Sequence, residues 1–173
     1  MYEHTYPEKR FNRTLAFLDQ HLSKDRKILD LGVPNPLSKL MLEKGYQVSN
    51  TQGEDLDFDQ TALQQPYDAV TAFEIFEHLL NPFTVLQNLN ANELVISVPL
   101  RLWFSPAYRS KTDPWDRHYH EFEPWQLDWL LEKTGWEIQA REQWTHPTKK
   151  IGFRPLLRYF TPRYYIVYAK RQP

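Results

Sequence analysis

The segment Tyr67-Asp-Ala-Val-Thr-Ala-Phe-Glu-Ile-Phe-Glu-His-Leu79 decides the fold of this chain. Its first half is a short, nearly continuous apolar run, which is typical of a strand buried on both faces of a sheet. Its second half carries Glu74, Glu77 and His78, which share one side at positions i, i+3 and i+4 if that half is helical. A buried strand that ends in polar side chains favours a ligand crevice in an open α/β sheet. The alternative is a helix start whose acidic groups lie near the positive end of its dipole.

Strand and helix patterns alternate outward from this segment. The remaining predicted strands cover 27–31, 46–51, 93–99, 136–144 and 164–170, and predicted helices cover 7–22, 36–44, 124–134 and a stretch beginning at Pro82. The acidic stretch 54–59 alternates like a brief strand, and 100–123 is a long loop. No helix pattern separates the last two strands, so we expect them to pair antiparallel. The sequence therefore predicts an α/β, Rossmann-like and mostly parallel sheet with an antiparallel C-terminal strand and helices on both faces.

The composition is that of one globular domain over residues 1–173, with an N-terminal helical segment at 1–24. The chain is 41% hydrophobic and 15% aromatic, enough for a substantial core. It has no cysteine, which excludes disulfides and thiolate metal sites. No run approaches the roughly 18 apolar residues of a membrane span, and the N-terminus lacks the apolar stretch of a signal peptide. We therefore expect a soluble, cytoplasmic protein.

Charge is distributed unevenly along the chain. After Glu142 there is no acidic residue, whereas seven of the 21 lysines and arginines follow it. This basic tail is rich in aromatic residues and fits an anionic acceptor, a nucleic acid or a membrane surface. The alternative is a solvated surface whose charges bind nothing. The near-neutral net charge of −1 weighs against a nucleic-acid partner.

Four segments resemble the class I S-adenosylmethionine-dependent methyltransferases, in the order in which that family carries them. The resemblance spans about residues 25–145 and rests on ILDLG (28–32), YDAVTAFEIFEHL (67–79), ELVISVP (93–99) and HYHEFEPWQLDWLLEKTGWEI (118–138). These are similar to the first strand with its glycine turn, the fourth strand, the fifth strand and a segment that many members carry after it. The resemblance implies binding of S-adenosylmethionine and transfer of its methyl group.

The resemblance also assigns cofactor-binding positions: Asp30, Gly32, Gln52 and the backbone near Phe73 and Glu74. Glycine at the first turn lets a ligand lie against the backbone.

The turn itself departs from the family pattern D-x-G-x-G-x-G, because Pro34 and Pro36 replace the second and third glycines. Proline lacks an N–H donor and fixes φ near about −65°. Either the turn is remodelled around the cofactor, or binding is weakened or lost.

The ribose position departs as well. Gln52 stands near the place where the family carries an acidic residue, and Glu54 or Asp55 could substitute for it. Only about twenty residues separate the second strand from the one at 67–73, so the helix and strand that the family has between them must be abbreviated.

The candidate catalytic groups are His120, Glu77 and His78, with His118 as a further candidate base, and the loop 100–123 would cover the acceptor. A histidine titrates near neutrality and can take a proton from an acceptor hydroxyl. His118 and His120 alternate along an extended stretch and should face the same side. The alternative for His120 is a structural hydrogen bond that anchors the loop.

A metal is a separate hypothesis. Glu74, Glu77, His78 and His120 form a carboxylate–imidazole set suited to a divalent cation. The run E-x-x-E-H with a later histidine resembles the metal-assisted small-RNA 2′-O-methyltransferases and ubiquinone-pathway O-methyltransferases. The alternative, which needs no metal, is that Glu77 and His78 cap the helix and pack against the sheet edge.

Taken together, these patterns predict a methyltransferase that acts on a small-molecule or lipid-like acceptor, either anionic or lipid-linked, with O-methylation favoured. One alternative is a non-catalytic binding protein with an impaired cofactor turn. Another is an RNA methyltransferase that uses the basic tail.

Overall fold

A computed structural model describes residues 7–113, 115–148 and 150–172. Residues 1–6 of the predicted helical segment, Pro114 of the loop and Lys149 of the basic tail lie outside these ranges. Within them, six strands form one sheet in the order β2-β1-β3-β4-β6-β5. The strands are β1 (Lys27–Asp30), β2 (Gln47–Asn50), β3 (Ala69–Phe73), β4 (Glu93–Pro99), β5 (Trp136–Thr145) and β6 (Pro162–Arg171).

Strand directions confirm the predicted fold class. The pairs β1–β2, β1–β3 and β3–β4 are parallel, whereas β6 runs antiparallel to both β4 and β5. The observed sheet is therefore mostly parallel with one antiparallel C-terminal strand, and its last two strands pair antiparallel as expected.

The α-helices are α1 (Glu8–His21), α2 (Pro36–Glu43), α3 (Pro82–Asn88), α4 (Pro124–Lys133) and α5 (Phe153–Leu157). Two short 3-10 helices cover Thr61–Gln64 and Phe76–His78. Helix α5 lies between β5 and β6, where the sequence pattern predicted no helix. The brief strand expected at 54–59 was wrong: the Phe58 and Asp59 N–H groups donate to the Asp55 carbonyl, and the Asp55 side chain accepts from Asp57 N. An aspartate that bonds its own backbone in this way favours a turn.

Both faces of the sheet are covered. Alternate residues of β3 and β4, such as Val70 and Ile96, pack with α3 and α4, as in the contact with Leu127. Their neighbours on the other face, such as Val95, pack with α1 and α2. Burial on both faces is the reason for the continuous apolar runs of these strands. The prediction of helices on both faces is thereby confirmed.

The connection between β2 and β3 is short, as expected, and contains the 3-10 helix Thr61–Gln64. The carboxylate of Asp57 accepts hydrogen bonds from Leu80 N at 2.8 Å and Asn81 N at 2.9 Å. This contact ties the acidic stretch to the start of α3, beside the carboxyl ends of the parallel strands. No helix within the described ranges is long and apolar enough to cross a bilayer.

Candidate active site

A cavity of about 180 Å³, here called the inner cavity, opens where β1, β3 and β4 end. This is the edge at which open α/β sheets bind ligands. Three charged side chains line it: Arg10 of α1, Asp30 of β1, and Glu74, which follows β3. Phe73, Gly32 and Ser97 line it as well. The structure therefore brings together four of the five predicted cofactor positions, Asp30, Gly32, Phe73 and Glu74.

Asp30 is buried at the end of β1 and joins three strands. Its carboxylate accepts hydrogen bonds from Thr71 Oγ1 at 2.6 Å and Asn50 Nδ2 at 3.0 Å. Burial raises the pKa of Asp30 to about 6, although these hydrogen bonds act to lower it. Asp30 thus fixes the strand ends that form the cavity floor.

The turn after β1 requires glycine at its first position, because Gly32 has φ +107°. Gly32 N donates to Thr51 Oγ1 at 2.7 Å, which joins the turn to the end of β2. Asn35 then caps α2: its Oδ1 accepts from Leu37 N and Ser38 N. Pro36 is the first residue of the helix, where a backbone N–H has no helical partner to lose. The turn is thus remodelled into an immediate, capped helix start.

The backbone of Glu74 has a left-handed conformation, and Glu74 is not part of a helix. Its φ is +59°, and the following 3-10 helix begins only at Phe76. The predicted helical face of Glu74, Glu77 and His78 therefore does not form. Instead, the Glu74 carboxylate lies 3.1 Å from the Arg10 guanidinium and accepts a hydrogen bond from Ser97 Oγ at 3.0 Å. Opposite charges consequently face each other in the inner cavity.

A second space of about 570 Å³, the outer cavity, shares Gly32 and Ile75 with the inner one. Its wall includes Glu54 and Asp55. Gln52 is exposed in the turn after β2, and its backbone N–H donates to Glu54 Oε2 at 2.8 Å. Glu54 and Asp55 line the outer cavity and Gln52 does not, so the acidic substitutes considered from the sequence are the ones that face it.

A third space of about 280 Å³, the polar cavity, shares Arg10 and Glu74 with the inner cavity. Glu77, His78 and His118 also line it. The inner, outer and polar cavities therefore form one connected site along the strand ends.

Both histidines of the polar cavity are oriented through Nδ1. His78 Nδ1 lies 2.8 Å from the Arg117 carbonyl, which can only accept, so Nδ1 carries the proton. His118 Nδ1 lies 3.0 Å from Glu121 Oε1. Although burial acts to raise the pKa of Glu121, hydrogen bonds from His118 and the Tyr108 N–H lower it overall. Glu121 is thus a carboxylate acceptor, and in the neutral Nδ1–H tautomer of each histidine Nε2 carries a lone pair.

Glu77 is the most deeply buried ionisable group of the polar cavity, with a side chain 1% exposed. Burial, followed by the negative charge of Glu74, raises its pKa well above the ordinary value. Its Oε1 lies 3.6 Å from His78 Nε2, and Oε2 has no hydrogen-bond partner among the described residues. A buried carboxyl group with an unused oxygen is a candidate ligand contact.

His120 lies in a different place from His118. It lines another cavity, its ring centroid is 5.6 Å from that of Phe122, and its Nε2 has no partner within the described ranges. The chain bends at Tyr119 because the N–H groups of Tyr119 and His120 both donate to the Glu77 carbonyl, at 2.8 and 3.2 Å. The alternation had predicted that the two histidines face the same side. In the structure they do not. In the sequence, the acidic residue three positions after His118 is the signal that could have indicated which histidine has a carboxylate partner.

The candidate metal ligands in the structure differ from the set predicted from the sequence. Ligand atoms of Glu77, His78 and His118 lie within 4.8 Å of one another. His120 is not in this group, and Glu74 is held by Arg10 and Ser97. The structure thus brings together two of the four residues proposed from the sequence and adds His118.

Of the aromatic residues of the long loop, Phe122 is part of the core, whereas Trp103, Tyr108 and Trp115 are exposed. Trp103 is 67% exposed and Trp115 is 75% exposed. Trp115 lines the outer cavity, and Tyr108 lines the polar cavity, where its ring lies 5.0 Å from that of His118.

The sequence of this chain matches a known protein family. The family described as "Methyltransferase domain" matches residues 2–141. No curated protein sequence matches the chain significantly.

Three similar solved structures are methyltransferases. The 1,6-didemethyltoxoflavin-N1-methyltransferase of Burkholderia thailandensis, with its substrate and S-adenosylhomocysteine bound, has TM-score 0.69 and 16% identity, over 96% of this chain and 80% of that one. An S-adenosylmethionine-dependent methyltransferase of Mesorhizobium loti has TM-score 0.64 and 12% identity, over 99% and 100%. One from Archaeoglobus fulgidus has TM-score 0.62 and 16% identity, over 95% and 94%. The chain belongs to the methyltransferase-domain family, and its fold is that of S-adenosylmethionine-dependent methyltransferases.

Proposed function

We propose that this protein transfers the methyl group of S-adenosylmethionine to a hydroxyl oxygen of a small-molecule or lipid-like acceptor, with His118 as the general base. The observation that carries the proposal is the His118–Glu121 pair, whose histidine lines the polar cavity next to the inner one. The carboxylate fixes the imidazole with Nε2 free to accept a proton, which is the arrangement that general-base catalysis needs.

The residues of the inner cavity fit the amino-acid end of S-adenosylmethionine. This end is a zwitterion, and Arg10 and Glu74 offer one charge of each sign. Arg10 would bind the carboxylate, and Glu74 would bind the ammonium group. Gly32 has no side chain to obstruct the approach of the cofactor to the backbone.

The outer cavity fits the nucleoside end. Glu54 replaces Gln52 in our assignment of the ribose contact, because Glu54 lines the cavity and a carboxylate accepts from two hydroxyls. Apolar side chains such as Leu56 and Leu79 lie in the same wall and would contact the adenine. The capped start of α2 leaves the cavity open at Gly32, which supports cofactor binding over the non-catalytic alternative.

When bound, the cofactor supplies an electrophilic methyl group; the residues of this chain position the acceptor and move its proton. His118 Nε2 accepts the hydroxyl proton, and Glu121 holds the ring and stabilises the positive charge that develops on it. Glu77, whose pKa burial raises, offers an O–H or a lone pair to the same hydroxyl. His78 bounds the site next to both groups: its Nε2 lies 3.6 Å from Glu77 Oε1, and its ring centroid lies 5.1 Å from that of His118.

Paired variants test this assignment. Titration calorimetry with S-adenosylhomocysteine should show heat for the wild-type protein and for His118→Gln. Transfer of tritiated methyl to a panel of phenols, sugar alcohols and hydroxylated lipids should fall by about 10²–10⁴-fold in His118→Gln. His120→Gln, the control, should stay within about threefold of wild type. Absence of heat with both S-adenosylmethionine and S-adenosylhomocysteine would refute the function, and equal losses in the two variants would refute the role of His118.

A divalent cation at the same place is the second candidate, supported by the proximity of Glu77, His78 and His118. These three residues would hold it through one oxygen and two Nε2 atoms, with both Nδ1 atoms already anchored. It would supply charge beside the acceptor hydroxyl. Chelation that abolishes transfer, with recovery on adding Mg²⁺ or Mn²⁺, would make His118 a ligand instead of a base.

The remaining alternative, methylation of RNA, has its own test. Binding to phosphodiester backbones falls steeply with salt because bound counterions are released. Tight RNA binding with a steep salt dependence, together with methyl incorporation into RNA, would replace the small-molecule proposal.

A further inference from the structure

Three arginines from separate segments line a fourth cavity, of about 230 Å³, which we call the arginine cavity. Arg109 belongs to the loop 100–123, Arg158 follows α5, and Arg163 lies near the start of β6. The rest of the wall is small or apolar apart from Tyr108, Glu121 and Ser105. Three separate segments of the chain thus each contribute one arginine to this one space.

Their charge is not neutralised locally. None of the three arginines has a carboxylate within 4.0 Å among the described residues. The one acidic group of the wall, Glu121, is engaged by His118 and the Tyr108 N–H. The cavity therefore holds three positive charges against one negative charge.

The positive charges of Arg158 and Arg163 also act on His146. Burial, followed by the charges of Arg158, Arg10 and Arg163, lowers the pKa of His146. Arg163 is also held in place, because its Nη1 donates to the Leu100 carbonyl at 2.6 Å. A fixed guanidinium retains donors for a ligand without the full cost of ordering its side chain.

The arginine cavity adjoins the proposed acceptor site. Tyr108 and Arg163 line both it and the polar cavity. Glu121, in its wall, is also the partner of His118 Nδ1. A ligand anchored by the arginines therefore extends directly toward the general base.

We propose that the arginine cavity binds a phosphoryl group of the methyl acceptor and so holds the acceptor hydroxyl against His118. This inference rests on the proposed function and deepens it by naming the acceptor class, a phosphate ester. One guanidinium satisfies a planar carboxylate in bidentate fashion, whereas three guanidiniums that converge from different segments match a tetrahedral phosphoryl group. The ester is either a phosphorylated small molecule or a phospholipid headgroup.

The test measures binding to the full chain saturated with S-adenosylhomocysteine. Titration with inorganic phosphate and glycerol 3-phosphate should give saturable binding that weakens with salt. Arg158→Gln and Arg109→Gln should each weaken it at least tenfold. Arg154→Gln is the matched control, because Arg154 lies on α5, the helix that Arg158 directly follows, but is exposed and outside the cavity wall. It should change binding less than twofold.

The source of the phosphoryl group is separated by a second arm. Vesicles of phosphatidylcholine with and without phosphatidic acid are compared with soluble glycerol 3-phosphate. Sedimentation with the acidic vesicles that is lost in Arg158→Gln but not in Arg154→Gln assigns a lipid headgroup; soluble binding alone assigns a small molecule.

Several results would overturn the proposal. Phosphate probes without effect on the wild-type protein, or equal losses in Arg158→Gln and Arg154→Gln, would refute it. Single-stranded RNA that binds far more tightly than the monoesters through the same arginines would reassign the cavity to a nucleic-acid backbone. Heat from S-adenosylhomocysteine with none from phosphate would refute this inference alone, whereas phosphate binding without S-adenosylhomocysteine binding would refute the proposed function instead.

Discussion

Replacing Asp30 by Asn should change how the stability of the protein depends on pH. The folded-state pKa of Asp30 is about 6, above its ordinary value of 3.8. Between these values the folded state holds a proton that the unfolded state has released, so the free energy of unfolding falls as pH rises. From the two pKa values, this group lowers stability by about 1.4 kcal/mol between pH 5 and pH 8, and by about 3 kcal/mol across its whole titration.

The substitution removes that titration and leaves most of the packing. The new side chain keeps an oxygen for Thr71 Oγ1 and loses an acceptor for Asn50 Nδ2, a cost of about 1 kcal/mol that does not depend on pH. Urea unfolding of both proteins at pH 5 and pH 8 gives the difference in free energy of unfolding between variant and wild type at each pH. The change in that difference between the two pH values is the quantity tested. We expect the variant to gain about 1.4 kcal/mol on wild type over that interval. A gap that stays constant within about 0.5 kcal/mol would show that burial does not perturb this carboxyl, and the reasoning would be refuted.

Three further changes test the packing and the cofactor cavity. Leu127→Ala, at a fully buried position, should lower the free energy of unfolding by about 2–5 kcal/mol in urea titrations, and a loss well under 1 kcal/mol would contradict the assigned core. Gly32→Ala and Gly45→Ala should each cost about 1–3 kcal/mol because φ is +107° and +91°, but only the first should weaken S-adenosylhomocysteine binding in calorimetry; an equal effect on binding would remove Gly32 from the site. Arg10→Gln should weaken that binding by about tenfold or more, as expected for a lost charge-assisted hydrogen bond, while Arg13→Gln on the same helix should leave it unchanged; similar affinities for both would place the cofactor carboxylate elsewhere.

The parts of the fold that the sequence predicted well are those whose signal is local. The strand 93–99 was predicted with the bounds that the structure has, because its run is mostly apolar and is buried over its whole length. The start of α2 was also readable, since Asn35 followed by Pro36 is a capping pattern. Comparison of the same segment with a glycine-rich family pattern drew attention to the missing glycines instead.

The parts that were missed depend on contacts between distant segments. Helix α5 has five residues and includes Pro155, so it has no helical period to detect. The separation of His118 from His120 follows from the bend at Tyr119, which the Glu77 carbonyl imposes from another part of the chain. An alternation rule assumes a continuous strand and cannot include such a hydrogen bond. The sequence therefore grouped Asp30, Gly32, Phe73 and Glu74, which line one cavity in the structure, whereas the separation of the two histidines required the tertiary structure.

Helix α1 has a consequence for how occupancy of the site can be observed. Its residues Arg10, Phe11 and Thr14 form one wall of the inner cavity, and only the segment 22–26 joins it to β1. Any local detachment of α1 would dismantle that wall, so a bound ligand must hold the helix closed by the free energy of its own binding. Amide hydrogen exchange in α1 should therefore slow in step with ligand concentration. Hydrogen exchange in α1 would therefore report the binding of candidate cofactors.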